Sequence, residues 1–322
     1  MPGLLDRRLI FVTGKGGVGK STVAAALGLL GARRGLRTIV AELASQERAQ
    51  RAFEREGESF AEIELAPGLF AISIDPQHAM EEYLQVKTGP LGHALASSRL
   101  FGAFAMATPG MRELLSLGKV WELAQHQRRT RDAVPYDLVI VDSPASGHGA
   151  GLLRTPRTFA EIARVGPIAR QGAAIADTIA DDSFTAVLAV ATAEEMPVNE
   201  TLWLRDTLAK DGLALEAVIV NALYPSRFAA DEAGELAGAL PSARPPLARA
   251  ALRAALSEHA RVVIQREQRA RLSEGLGGPL VELPYVFADD LGRRELERLA
   301  DALEAGLQAS SAGLGPTPGR RP

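Results

Sequence analysis

Hydrophobic and polar positions along the 322-residue chain follow two alternating patterns. Short runs that are apolar on both faces, rich in Val, Ile and Leu, occur at Leu9–Val12, Thr38–Ala41, Leu69–Ile74, Leu138–Val141, Ala186–Ala191, Ala217–Val220 and Leu280–Leu283. A strand with no polar face must be covered from both sides, which is the condition of a strand inside a parallel sheet. Longer stretches of helical period separate these runs. The pattern therefore predicts an α/β fold: a doubly wound, mostly parallel sheet with helices on both faces.

The spacing is uneven. Roughly sixty residues separate the third run from the fourth, far more than one crossover helix requires. An insertion of several helices is expected at about 76–132, and a further helical segment at about 155–180 follows the fourth run. The two are expected to pack as a helical subdomain above the sheet of a single unit spanning 1–309. Leu291–Leu307 carries apolar residues at helical spacing and is expected to dock on the sheet. Its polar face mixes Glu and Asp with Arg, which suits docking better than lying on a membrane. Residues 310–322, small, polar and rich in Gly and Pro, read as a disordered tail.

Composition narrows the chemistry. Apolar residues make up 47%, enough for a substantial core, and the net charge of -3 supplies no field toward nucleic acid, so no nucleic-acid partner is expected. The chain has no cysteine, which excludes an iron–sulfur cluster, a thiolate zinc site and a cysteine nucleophile. Residues 1–8 are too short and polar for a signal peptide, and no uninterrupted apolar stretch of ~18 residues appears, so a cytoplasmic protein is expected. The cations are nearly all arginine. The lysines are Lys15, Lys20, Lys87, Lys119 and Lys210, and the first two fall inside one glycine-rich loop, where a compact ammonium suits phosphate.

That loop, Gly14-Lys15-Gly16-Gly17-Val18-Gly19-Lys20-Ser21, fits G-x-x-x-x-G-K-S between an expected strand and an expected helix, Thr22–Arg34. Glycines let backbone N–H groups turn inward around phosphate oxygens, and the helix N-terminus adds partial positive charge there. The residues from Gly14 to Thr22 are accordingly the candidate nucleotide ligands. Lys20 is expected to reach the β- and γ-phosphates and Ser21 to ligate magnesium, making ATP and Mg2+ the predicted cofactors. Asp142, closing the fourth run, is placed to hold the magnesium through water. The turn after it, with Ser143, Pro144, Gly147 and His148, reads as a switch that senses the γ-phosphate.

A lysine beside the first glycine, as in Gly14-Lys15, resembles the deviant P-loop ATPases. The resemblance implies a dimer in which Lys15 reaches the partner's nucleotide, a cation delivered in trans like an arginine finger. Asp142 to His148 is similar to the Asp-Thr-Ala-Pro-Thr-Gly-His switch of the ArsA-type ATPases, the family of arsenite-pump ATPases and of ATPases that carry tail-anchored membrane proteins. Ile72 to Pro76 with Glu82-Tyr83, Val165 to Ile168, and Glu195 to Thr201 extend the resemblance over most of 8–300, toward the bacterial branch. It implies that Asn221 reads the adenine edge while Pro284, Tyr285, Val286 and Phe287 pack beside the base.

One position departs from the pattern. The family's second strand ends in Asp-Pro-Ala, whose Asp orients the attacking water; here an ungapped count puts Ala44 there, with Glu42 two residues earlier on the same strand face. Glu42 thus joins Lys15, Lys20 and Asp142 as a candidate catalytic residue, or else bonds the P-loop or a magnesium-bound water without catalysing. A Glu-containing variant implies either a homodimer or a heterodimer with a related subunit. What the resemblance implies overall is a dimeric ATP-hydrolysing switch that opens and closes a helical subdomain around a hydrophobic membrane segment. Leu100, Phe101, Phe104, Met106, Met111, Leu114, Leu115 and Leu117 would supply either a groove or simply the subdomain's own core. The alternatives are an energising subunit of an anion efflux system, with a membrane partner, and a ParA- or MinD-type positioning ATPase. The lack of thiolates argues against arsenite, and the charge and switch residues argue against positioning.

Overall fold

The computed structural model describes residues 3–43, 48–55, 60–84, 108–129, 133–145, 149–277 and 280–313. Its strands are β1 (Leu9–Thr13), β2 (Thr38–Glu42), β3 (Ile63–Ala66), β4 (Leu69–Ser73), β5 (Leu138–Asp142), β6 (Thr185–Thr192), β7 (Ala217–Leu223) and β8 (Leu280–Pro284). They form one sheet in the order β3-β4-β2-β5-β1-β6-β7-β8, parallel throughout except for the β3–β4 pair. Every apolar run of the sequence is a parallel strand.

The strand that the pattern does not announce is β3. It is short, half exposed and antiparallel to β4 across a Pro67-Gly68 turn. A two-sided apolar run is the signature of an interior strand, and an edge strand lacks it. Its brevity also leaves little unpaired backbone at that edge of the sheet.

Two hydrophobic layers cover the sheet. On one side lies α1 (Lys20–Arg33), with the last helix, α10 (Arg293–Gly313), packed against it through Leu296, Leu299, Ala300 and Leu303. A Cβ on Gly28 would come within 2.8 Å of Val40 and 2.9 Å of Leu69, so α1 sits closer to the strands than an alanine would permit. Arg33 and Arg34 bridge to Asp301 and Glu304 at 2.7 and 2.9 Å, tying the outer faces of the two helices. Since α10 runs to Gly313, residues 310–313 are helical rather than the start of a tail; residues 314–322 lie outside those described.

The short helix α2 (Arg48–Ala52) lies on this same side near the strand ends, its Ala49 packed in the α1 layer. On the other side lie a helix α3 over 76–84, then α4 (Met111–Leu123), α5 (Gly149–Ala163), α6 (Pro167–Ala180), α7 (Glu195–Lys210), α8 (Ala230–Ala239) and α9 (Pro246–Leu276). The stretch expected at about 155–180 starts earlier, at Gly149, and is two helices. Arg164 at φ 52° and Gly166 at φ 102° break it, and Pro167 restarts it at a helix N-terminus. Asp75 starts α3 by accepting from the backbone N–H of Gln77 and His78 at 3.0 and 2.9 Å. Below α4, a buried charge network joins helix to sheet. Arg128 donates to Glu122 and Glu62, Lys119 pairs with Glu122 and Glu82 at 3.2 and 2.9 Å, and the Tyr136 hydroxyl donates to Glu62 at 2.7 Å. Among the described residues no helix is long and apolar enough to cross a membrane.

Candidate nucleotide site

The site lies at the C-terminal ends of the central strands, where β1 gives way to a loop and then to α1. Two glycines of that loop cannot be replaced without displacing backbone or polar atoms. A Cβ on Gly14 (φ 145°) would fall 2.2 Å from the Val190 carbonyl oxygen of β6, and one on Gly19 (φ 94°) 2.3 Å from the Asn221 amide nitrogen of β7. The loop is thus pressed against two neighbouring strands. Asn221 Nδ2 donates to the Val18 carbonyl at 2.9 Å, and Lys20 Nζ donates to the Lys15 carbonyl at 3.0 Å, bracing it from outside and from within. Val18 is buried, Gly16 and Gly17 are exposed, and Ser21 and Thr22 stand half-buried at the first turn of α1.

Sheet register brings the acidic strand ends together. Glu42 lies opposite Asp142 on one side and Ser73 on the other, and Asp142 is also opposite Val12. Thr13, Glu42, Ser73 and Asp142 are all buried, and among the described residues Thr13 Oγ1, Ser73 Oγ and Asp142 Oδ1 have no hydrogen-bond partner. Buried oxygens without donors are costly unless something fills the role, and a hydrated divalent cation does so. An all-oxygen set with one carboxylate and one serine hydroxyl, Ser21 being hydrogen-bonded to Asp142, fits magnesium held mainly by phosphates and water.

Burial pushes the Asp142 carboxyl above its ordinary range, against the Ser21 hydrogen bond and the charges of Lys20 and Arg48. Burial likewise lowers the Lys20 ammonium, with Asp142 opposing and Arg48 adding to the fall. Each is a group whose charged form awaits a counter-charge, as in an anion- and cation-binding site.

Arg48 was not among the residues singled out in the sequence. It opens α2, and its guanidinium lies 3.4 Å from Ser21 Oγ. What places it is Glu42, whose Oε1 accepts from the backbone N–H of Ala49 at 3.0 Å. The buried Glu42 carboxylate therefore spans from the end of β2 to the first residues of α2. Ala44, the family's Asp position in the ungapped count, lies outside the described residues, as do Gly147 and His148 of the expected switch. Ser143 is buried with its N–H on the Val12 carbonyl at 3.1 Å, and Pro144 is half-buried.

On the far side of the loop stands an aromatic group. Tyr285 stacks on Tyr224 with centroids 4.6 Å apart and meets the Phe287 edge at 4.8 Å. Pro284 ends β8, and Val286 turns inward against the α1 layer. Tyr224 is a second residue that sequence reasoning missed. Lys15 makes an ion pair with Glu200 of α7, 3.0 Å from Nζ to Oε1.

A glycine loop between a central parallel strand and a helix, with a lysine at the helix start and an aspartate closing the adjacent strand, defines a P-loop nucleoside triphosphatase. More narrowly, the chain belongs to the anion-transporting ATPase family, the ArsA ATPases, whose family model matches residues 7–165 and 161–235, and it is an ATPase. It is 31% identical over 317 residues to the ATPase BagA of Mycobacterium tuberculosis, with 92% of each chain covered. It is also 28% identical over 245 residues to a putative arsenical pump-driving ATPase of Halobacterium salinarum, a match that covers 71% of this chain but 37% of that one. A Paramecium tetraurelia ATPase ASNA1 homolog is 29% identical over 148 residues, 46% of this chain.

Proposed function

We propose that this ATPase is a dimeric Mg-ATP switch whose turnover opens and closes the helical layer of α3, α4 and α6 to handle a hydrophobic segment of a membrane protein. The observation that carries the reading is an apolar cavity of about 140 Å³ between those helices, walled by Met80, Leu84, Met111, Leu114, Leu115 and Ile168. No P-loop residue lines it. Of the residues expected to meet a client, Met111, Leu114 and Leu115 face it, Leu117 is buried in the core layer, and Leu100, Phe101, Phe104 and Met106 lie outside the described residues. Ile162 in the last turn of α5 and Val165 between α5 and α6 stand exposed. Flexible Met and Leu walls suit apolar helices of varied sequence.

In this reading, Lys20 and the loop N–H groups hold the phosphates, and the adenine lies between Asn221 and the Tyr285–Phe287 wall. Ser21 and Asp142 hold the magnesium, which when bound neutralises charge on the transferred phosphoryl. Glu42 positions α2, and with it Arg48, beside Ser21. Lys15 leaves Glu200 to face a partner's nucleotide, the partner being a second copy or a related subunit.

ATP turnover measured across a range of protein concentrations, with Lys15→Ala alongside, tests the dimer. Specific activity should rise with concentration and fall about 10³-fold in the variant. Concentration-independent turnover that survives Lys15→Ala would refute it, and binding without turnover at any concentration would point to a related partner subunit. Binding of a fluorescent transmembrane peptide should differ between ATP- and ADP-loaded protein; equal binding in both would remove the carrier reading. A second reading, the energising subunit of an anion efflux system, draws on the arsenical-pump relatives and on Arg129 at the cavity wall. It requires turnover stimulated by an inorganic or organic anion.

A further inference from the structure

The strand that carries Asn221 does not run straight. Between Val220 and Leu223 the register of β7 against β8 shifts, and Ala222, which lies inside the irregularity, has φ 60°, a left-handed conformation unfavourable for any residue with a Cβ. Left-handed bulges at this kind of position ordinarily call for glycine. An alanine persists there only if its surroundings hold it.

A side chain does so from outside the sheet. Gln265 of the long helix α9 donates from Nε2 to the Ala222 carbonyl at 3.0 Å and accepts at Oε1 from the Tyr224 N–H at 2.8 Å. Its carboxamide acts as an extra peptide group, satisfying the donor and acceptor that the bulge takes out of the ladder. The same helix adds Arg261 on the Tyr224 hydroxyl at 2.9 Å and Arg266 on Ser226 Oγ at 2.8 Å. The segment so held carries Asn221, braced on the P-loop, at one end and Tyr224, stacked on Tyr285, at the other.

We propose that Gln265 is a positioning residue for nucleotide binding, clamping the left-handed bulge at Ala222 so that Asn221 meets the P-loop and Tyr224 backs the Tyr285 ring. The proposal rests on the reading that the base lies beside Asn221 and Tyr285. It acts on binding: the clamp touches neither Lys20, Ser21 nor Asp142, so its loss weakens nucleotide affinity while leaving the phosphoryl chemistry intact. It also separates the clamp from general packing, because a glycine at position 222 would adopt φ 60° without strain and so need no clamp.

The test is steady-state ATPase kinetics on four full-length proteins: wild type, Gln265→Leu, Ala222→Gly and the double variant. Gln265→Leu should raise KM for ATP about tenfold, two hydrogen bonds being lost, with kcat within about twofold. Ala222→Gly alone should leave KM near wild type, and in the double variant it should recover most of the loss. An unchanged KM in Gln265→Leu, or a loss that Ala222→Gly does not repair, overturns the proposal. Should Gln265→Leu fail to fold, Gln265→Glu keeps an acceptor for the Tyr224 N–H but sets a carboxylate oxygen in place of the donor to the Ala222 carbonyl, and it faces the same rescue. Tyr285→Ala distinguishes the two layers of the argument. If it leaves KM unchanged, the base-site reading fails; if it raises KM while Gln265→Leu does not, only the clamp fails.

Discussion

Asp142 shows what a binding site costs a protein. Its raised pKa means that the native state holds the proton more tightly than the unfolded chain does, so ionising it opposes folding as pH rises above the ordinary carboxylate range. Asp142→Asn should therefore raise the melting temperature of the nucleotide-free protein by a few degrees at pH 7, with the gain vanishing near pH 4 and below, while magnesium-dependent turnover is lost. A variant that melts lower at pH 7 would contradict the assignment of Asp142 as an electrostatically unfavourable group. At this scale the residues readable from sequence were those whose roles depend on spacing along the chain: Gly14 to Ser21 as one loop, and Asp142 closing an apolar run. Arg48 and Tyr224 were not, because each acquires its place from a partner distant in sequence. Arg48 reaches Ser21 and Tyr224 stacks on Tyr285.

Among the elements, α4 is held by charge as well as by its apolar face. The Arg128 side chain is 1% exposed and that of Glu122 4%, so each depends on the other for compensation. Burial alone would raise Glu62 and Glu122, but the hydrogen bonds and charge of Arg128, together with Tyr136 and Lys119, outweigh it and hold both carboxyls below their ordinary range. Depressed carboxyl pKa values contribute stability that is fully present above the unfolded value and lost as pH falls through the folded one. Arg128→Leu should cost about 3 kcal/mol at pH 7, seen in denaturant unfolding, because Glu122 keeps Lys119 and the Arg129 backbone N–H but loses its guanidinium partner. The wild type should lose stability on acidification below about pH 5 more steeply than the variant. Equal acid sensitivity in the two would show that the network is not what titrates. None of this network could be seen in a hydrophobic pattern, which registers buried apolar residues but not charges buried against one another; β3 escaped for a different reason, since an edge strand carries no two-sided apolar run. The helices facing the sheet, by contrast, were legible as a class, although the break at Arg164–Gly166 lay inside a continuous helical period.

For the whole molecule, the parallel sheet covered on both faces followed directly from runs that had no polar side. The relation between Lys15 and Glu200 did not, since it links the loop to a helix that starts five strands further along the sequence. Both side chains are about one-third exposed, so the pair is worth less than about 1 kcal/mol. Glu200→Gln should accordingly raise specific turnover only two- to fivefold at low protein concentration and not at all at saturation, if freeing Lys15 favours its delivery to a second subunit. A uniform change at every concentration would place the effect within one subunit instead.

The strand order has a consequence for how the chain is made. β1, the first strand to be synthesised, lies at the centre of the sheet, flanked by β5 and β6, and the helix after the P-loop finds its outer cover only in α10. A nascent chain therefore emerges from the ribosome with its most conspicuous motif unsupported: one edge of β1 stays bare until β5 has followed, and the other until Thr185–Ala189 of β6. Long-range pairing of this kind is intrinsically slow. The P-loop, written into the first tenth of the sequence, meets the strands it is pressed against only when Val190 and Asn221 have followed, so a shorter ribosome-bound fragment carries the loop without its bracing.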